Sequence, residues 1–320
     1  MNILGAKRLV NTTGMPREKW LRYRQLGLGG SDAGAILGVN PYRSPMEVFR
    51  DKLSEFPIET EDNEAMRQGR DLEEYVAKRF CEQEGKTVRR CNAILRHEKY
   101  PFLLANVDRI VDGENAILEC KTAKSFLWGK YQKDDIPLPY IFQCYHYLMV
   151  CPQAERVYLA VLIYGMDFKV YTIERQQDQI DQLMKKEVDW WDDHIVMKRM
   201  PEPDGSESCQ KMLNDMFGTS DGGEMELPGN CDLLLKELET SMEEFKALKT
   251  KCSQLKQKIE LAMGNATVGT TKHFVVKWKP VAGRKTFDQE RFLEKYPSML
   301  DLYCKEGAQT RRFTFERTVE

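Results

Sequence analysis

Phe102-Leu103-Leu104-Ala105-Asn106-Val107-Asp108, a polar turn at Asp112-Gly113-Glu114-Asn115, then Ala116-Ile117-Leu118-Glu119-Cys120-Lys121 form the stretch that decides the fold. Asp-Gly between two apolar runs is a strong short-range signal for a β-hairpin. In such a hairpin Asp108 and Glu119 lie near each other on neighbouring strands. Two carboxylates so placed repel unless a cation sits between them, and hard oxygen ligands suit Mg²⁺ or Mn²⁺. Lys121 is two residues beyond Glu119, so it leaves the same face of the strand. An ammonium there can orient a water and stabilise charge developing on a phosphate. The same residues also suit an ordinary surface hairpin with an incidental ion pair, so the rest of the chain has to decide.

The spacing of Asp108 and Glu119-Cys120-Lys121 resembles the core of the PD-(D/E)XK nuclease superfamily. Composition neither forbids nor demands that chemistry. The chain has 320 residues, enough for one large domain or a medium domain with an appendage. Its formal net charge is −2, so no global basic field attracts nucleic acid and any basic patch is local. No apolar run reaches the length of a membrane span, and the N-terminal residues lack the apolar core of a secretory signal, which together predict a cytoplasmic protein. The nine cysteines are scattered without a Cys-Xaa-Xaa-Cys pair, which argues against a zinc ribbon or an iron–sulfur site.

Earlier in the chain, residues 1–30 are locally basic, and Pro16-Arg17-Glu18-Lys19-Trp20-Leu21 reads as a helix start. The loop Leu26-Gly27-Leu28-Gly29-Gly30 then leads to Ser31 or Asp32 as the N-cap of an apolar helix. Exposed amides there, with Arg24 as a clamp, suit an anion; a plain loop before a well-capped helix suits the residues equally. A helix over 45–53 begins at Pro45, and a helix over 68–80 places Leu72, Val76 and Phe80 on one face.

Trp20-Leu21-Xaa-Xaa-Arg24, Leu28-Gly29-Gly30-Ser31-Asp32-Ala33 and Leu37-Gly38-Val39-Asn40-Pro41-Tyr42-Arg43-Ser44-Pro45 resemble, in order, the opening of the YqaJ-type viral recombinases, phage-encoded alkaline exonucleases of the lambda-exonuclease-like group. The resemblance runs from about residue 15 to 195. It implies that Arg24 and Ser31 hold the 5′-terminal phosphate of DNA, and that Glu73, from Gly69-Arg70-Asp71-Leu72-Glu73, reaches the metal site, with Glu74 structural. By residue pattern alone, Glu73 and Glu74 read as solvated helix charges paired with Lys78 or Arg79. Pro137, Tyr140 and Gln143 match the family's Pro-Xaa-Xaa-Tyr-Xaa-Xaa-Gln, whose glutamine lies beside the active centre.

The remaining elements fit an α/β nuclease core with a central mixed sheet flanked by helices. Residues 88–100 read as a strand and turn, and Trp128-Gly129-Lys130-Tyr131 follows the hairpin. A long helix begins near Pro139 and carries Tyr140, Gln143 and Tyr147 on one face. Strands over 155–164 and 168–173 come next, then a helix over 175–199 whose Trp190-Trp191 pair suits the core better than base stacking. The expected organisation is a nuclease core over 1–199, a linker over 200–229 rich in Pro and Gly, and a C-terminal part over 230–320. That part opens with a helix from about Asp232 to Met263. Its seam of Leu238, Ser241, Phe245, Leu248, Cys252, Leu255, Ile259 and Ala262 has heptad spacing and predicts a coiled coil. Two strands, at residues 273–279 and 311–315, flank a short helix over 288–295 in the tail.

The resemblance implies a metal-dependent 5′→3′ exonuclease that degrades linear double-stranded DNA from its ends to 5′-phosphomononucleotides for phage recombination. Asp108, Glu119 and the Cys120 carbonyl would bind Mg²⁺, with Mn²⁺ as a substitute, Glu73 would complete the metal shell, and two ions are expected. Lys121 and Gln143 would position the attacking water, and Arg24, Ser31 and Tyr140 would meet the DNA. A phage single-strand annealing protein is the implied partner, and a homo-oligomer, with the toroidal trimer of relatives as its pattern, the implied assembly. An endonuclease built on the same core and a non-catalytic DNA-binding scaffold are the rival readings.

Overall fold

A computed structural model describes residues 2–58, 63–125, 136–220, 222–283, 286–297, 299–303 and 311–315. The Trp128–Tyr131 segment lies outside the described residues. The chain divides into two compact units, Met1–Met216 and Phe217–Glu320.

The first unit is a mixed α/β body. Its elements begin with β1 (Asn2–Ile3), β2 (Ala6–Asn11), α1 (Arg17–Gln25), α2 (Gly30–Ile36), α3 (Pro45–Leu53) and α4 (Glu64–Glu84). Strands β3 (Val88–Arg90), β4 (Ala93–Arg96), β5 (Leu104–Ala105), β6 (Arg109–Val111) and β7 (Ala116–Ala123) follow. Then come α5 (Leu138–Val150), β8 (Arg156–Ile163), β9 (Asp167–Glu174), α6 (Gln177–Trp190) and α7 (Glu207–Phe217). A π-helical turn, Trp191–Val196, continues α6. Local chemistry explains several boundaries. Ser44 caps α3 by accepting from the Glu47 amide, with Pro45 in the first turn. Asn63 caps α4 through the Met66 amide at 2.9 Å, and Gly85 ends it in the left-handed region.

The central sheet has the order β3-β6-β7-β8-β9, with β7 and β8 parallel and the other pairs antiparallel. The parallel pair needs a crossover, and α5 lies on it. A smaller antiparallel sheet has the order β1-β2-β4-β5. Alternation sorts the side chains of β7. Ala116 and Leu118 pack with Val76, Ala77 and Phe80 of α4, while Ile117 and Ala123 join the core that contains α5. Helix α5 is apolar over most of its surface and is correspondingly buried from Gln143 to Val150, apart from Tyr145. Trp190 is buried and Trp191 stacks on Phe102 at 4.8 Å, both as core residues.

Three expectations need correction. Helix α2 is capped two residues before Ser31 and three before Asp32, the two candidate caps. Gly29 is the cap residue, and Asp32 reaches back to its amide at 2.9 Å. The stretch 200–229 is not linker throughout. Helix α7 buries Cys209 and Met212 against Met46, and Ser208 accepts from the Ser44 amide at 2.9 Å. Its apolar residues are few and flanked by Pro and Gly, which hid the helix. In the second unit, the strand expected at 311–315 has no regular structure; instead β10 (Val268–Thr270) pairs with β11 (Val275–Lys277). The rest of this unit comprises α8 (Asn230–Met263), α9 (Gln289–Lys295) and α10 (Met299–Tyr303).

Candidate active site

The hairpin forms as its sequence demands. Gly113 sits at φ +77°, a conformation that favours glycine, and turns β6 into β7. The register sets Arg109 opposite Leu118, which brings Asp108 level with Glu119. The Cys120 amide donates to Asp108 Oδ2 at 2.8 Å and ties the two strands at the site. Glu119 is buried, and by alternation it and Lys121 share the face of β7 that looks toward α5. Lys121 Nζ lies 2.7 Å from Glu119 Oε1 and 5.3 Å from the centre of the Tyr140 ring.

Gln143 comes down from α5 onto the same pair. Its Nε2 donates to Glu119 Oε1 at 2.7 Å and to the Tyr147 hydroxyl at 2.8 Å. The Tyr147 hydroxyl in turn donates to the Asn106 carbonyl at 3.0 Å, which locks the glutamine's rotamer. Burial, then the charges of Glu119 and Glu73, push the Asp108 carboxyl well above its ordinary value. Burial works against the Lys121 ammonium, but Glu119 and Asp108 outweigh it and raise that group, so Lys121 keeps its proton. Glu119 Oε2 is buried with no hydrogen-bond partner among the described residues. Such an orphaned oxygen is costly.

Glu73 stands differently from expectation. It projects from α4 and forms an ion pair with Arg109, near enough for its charge to act on Asp108. Arg109 is buried, with Nη2 3.0 Å from Glu74 Oε2 and Nη1 donating to the Asp108 carbonyl at 3.0 Å. Among the described residues no three carboxylate, histidine or cysteine side chains close into a ready-made metal cluster. The donor set still fits a hard divalent cation. It offers two facing carboxylates and an unpartnered buried oxygen, with no soft ligand side chain engaged.

Arg24 and Ser31 are brought together: Arg24 Nη2 donates to Ser31 Oγ at 2.7 Å, and the guanidinium lies 4.7 Å from the centre of the Trp20 ring. Behind them is a buried charge network absent from the sequence reading. Asp32 accepts from Arg43, and Lys52 Nζ lies 2.9 Å from Asp32 Oδ2 and donates to the Arg24 carbonyl at 3.0 Å. Burial opposes ionisation of Asp32, but Arg43 and Lys52 overcome it and hold the carboxyl below the usual range. The two groups of residues are neighbours. A Cβ on Gly30 would lie 2.7 Å from Tyr147 Cε1 and 3.0 Å from Gln143 Cγ, so α2 rests directly on the helix that carries the glutamine.

Arg109, Tyr147, Asp32 and Lys52 were therefore missed by sequence reasoning. The only signal for Tyr147 was its place on the face of Tyr140 and Gln143.

Residues 19–154 match the model of the YqaJ-like viral recombinase domain. The protein YqaJ of Bacillus subtilis (strain 168), itself described as uncharacterized, is 35% identical over 310 residues, covering 96% of this chain and 97% of that protein. Among solved structures, an alkaline exonuclease from Laribacter hongkongensis, LHK-Exo, is similar with a TM-score of 0.49 and 16% identity over 62% of this chain and 97% of that one. LHK-Exo in complex with dAMP matches with the same values.

Proposed function

The chain belongs to the family of YqaJ-like viral recombinase domains, and from that premise we propose that it is a divalent-metal-dependent exonuclease. Its substrate is linear double-stranded DNA, degraded 5′→3′ to 5′-phosphomononucleotides, which leaves 3′ single strands for strand annealing. The observation that carries this reading is the facing pair of half-buried Asp108 and buried Glu119, with an orphaned Glu119 oxygen and the Lys121 ammonium 2.7 Å from its other oxygen.

Asp108 and Glu119, with the Cys120 carbonyl and Glu73 as further ligands, would hold Mg²⁺ or Mn²⁺. A cation there supplies Lewis acidity to the phosphoryl group and acidifies the attacking water. In the hydrolysis, water oxygen adds to phosphorus, the 3′ oxygen leaves and takes up a proton, and the next nucleotide keeps the 5′ phosphate. Lys121 holds its proton throughout and donates a hydrogen bond toward the charge that grows on the phosphate oxygens. Gln143 is held by Tyr147 and fixes Glu119 Oε1, so the carboxylate does not swing as charge moves. Arg24 offers a guanidinium beside the Ser31 hydroxyl, a pair suited to a terminal phosphate, and Tyr140 lines the approach.

The test compares 5′-phosphorylated linear duplex with closed circular duplex, each with Mg²⁺ and with a chelator. Only the linear substrate is consumed, only with Mg²⁺, and Lys121→Ala abolishes this while DNA binding persists. Cutting of the circle would assign an endonuclease instead, and full activity of Lys121→Ala would remove the central assignment.

A further inference from the structure

Helix α8 has 34 residues, and none of them is buried among the described residues. At about 1.5 Å per residue it is about 50 Å long. Its seam side chains stand in solvent, with Phe245 69% and Leu248 59% exposed. The sequence of α8 says what covers them. We propose that α8 pairs with the same helix of a second copy of this chain, running antiparallel, with Phe245 of each copy against Leu248 of the other at the centre.

The first argument is the seam itself. With Leu238, Phe245, Cys252 and Ile259 at one set of heptad positions, and Leu234, Ser241, Leu248 and Leu255 at the other, an antiparallel pair sets each member of one set against a member of the other. Centring the crossing between Phe245 and Leu248 puts Leu238 opposite Leu255 and Leu234 opposite Ile259. It also puts Ser241 opposite Cys252, so the two weakest apolar residues share a layer. A parallel pair would instead set Phe245 on Phe245, Ser241 on Ser241 and Cys252 on Cys252. That crowds one layer and leaves two poorly filled.

The second argument is charge. The residues preceding the first set are Glu237, Glu244, Lys251 and Lys258, acidic in the first half of the helix and basic in the second. In the antiparallel register Glu237 meets Lys258 and Glu244 meets Lys251. Each pair occurs twice, and all four are attractive. In a parallel pair these positions face the other flank one heptad on. There Glu244 meets Lys249, which attracts, but Lys251 meets Lys256, which repels. On the remaining flank of the antiparallel pair, Leu235 and Met242 lie opposite Lys256 and Lys249, whose aliphatic stems can cover them. A helix evolved for an unrelated partner has no reason to be complementary to its own reverse. The inference is independent of the nuclease chemistry.

Sedimentation equilibrium of the full chain over a range of concentrations tests it. The wild type should associate with a mass that rises with concentration, and Leu248→Glu should lower that mass. Lys251→Glu sets Glu244 against a glutamate and should weaken association about tenfold at low salt. Adding Glu244→Lys to it restores the pairing. Leu248 and Lys251 are exposed, so neither change threatens the fold. A concentration-independent monomer would overturn the proposal, as would a Leu248→Glu protein of unchanged mass. A Lys251→Glu protein that associates more tightly would overturn it in favour of the parallel pair.

Discussion

Gly30→Ala is a one-carbon change that should tell whether α2 and the glutamine helix work as one piece. By helix propensity alone it is favourable, by up to about 1 kcal/mol. The added methyl, however, would stand 2.7 Å from Tyr147 Cε1 and 3.0 Å from Gln143 Cγ. Carbon atoms at rest sit ~3.5–4.0 Å apart, so α2 and α5 must separate by about 1 Å or their side chains must leave their rotamers. Overpacking of this kind costs about 1–3 kcal/mol, which leaves a net loss of about 1 kcal/mol after the propensity gain. The kinetic effect should be larger. Ser31 moves with α2 and Gln143 with α5, and a misplacement of about 1 Å at a reacting centre can cost ~10²-fold. The expected result is a folded variant whose release of mononucleotides from 5′-phosphorylated linear duplex falls about 10- to 100-fold. Gly69→Ala is the control for propensity. Its added carbon meets only Thr122 Oγ1 at 3.8 Å, so it should stabilise the protein by about 0.5–1 kcal/mol. A Gly30→Ala enzyme with wild-type turnover and a raised melting temperature would refute the reasoning.

Two further perturbations address the buried ion pairs. His146 Nδ1 lies 2.8 Å from Glu187 Oε2, and Nε2 lies 2.8 Å from the Leu104 carbonyl, so both ring nitrogens face acceptors. Burial alone would lower its pKa, but Glu187 outweighs burial and raises it. A raised folded-state value means the stabilisation is complete below the ordinary histidine value of about 6.5 and is lost as pH rises through the raised one. Urea unfolding should show stability declining over that window, and His146→Gln should flatten the decline; parallel curves for the two proteins would mean that the ring is not charged. Asp32→Asn leaves Lys52 and Arg43 without their shared carboxylate and should cost about 3–5 kcal/mol. A loss under about 0.5 kcal/mol in the same measurement would show that the network does not brace the end of α1 that carries Arg24.

What the sequence revealed was whatever its neighbours in the chain determine. The Asp108–Glu119 hairpin was legible because its turn and its alternation are local. Helix α3 was legible because Pro45 is a local start signal in its first turn. Arg109 was not, because one arginine in a charged chain looks solvated. Its burial is set by α4, some thirty-five residues earlier. His146 gains its meaning from Glu187, 41 residues later, and Lys52 from Asp32, also well beyond its own helix. The composition of 200–229 pointed to a linker, and α7 became visible only with Met46 beside Cys209 and Met212. Propensity and spacing record what a residue tends to do alone, whereas burial records what arrives from elsewhere.

The Arg109 clamp has a consequence for how a cation would be held. Glu73 cannot give both its oxygens to an ion without releasing a guanidinium that is itself buried and also grips Glu74. Recruiting that third carboxylate is therefore an exchange of one positive charge for another. On this view the protein carries its own competitor for the cation. The competitor sets a floor on ion concentration below which Glu73 stays with Arg109, and it keeps Glu73 and Glu74 neutralised while the exchange is pending.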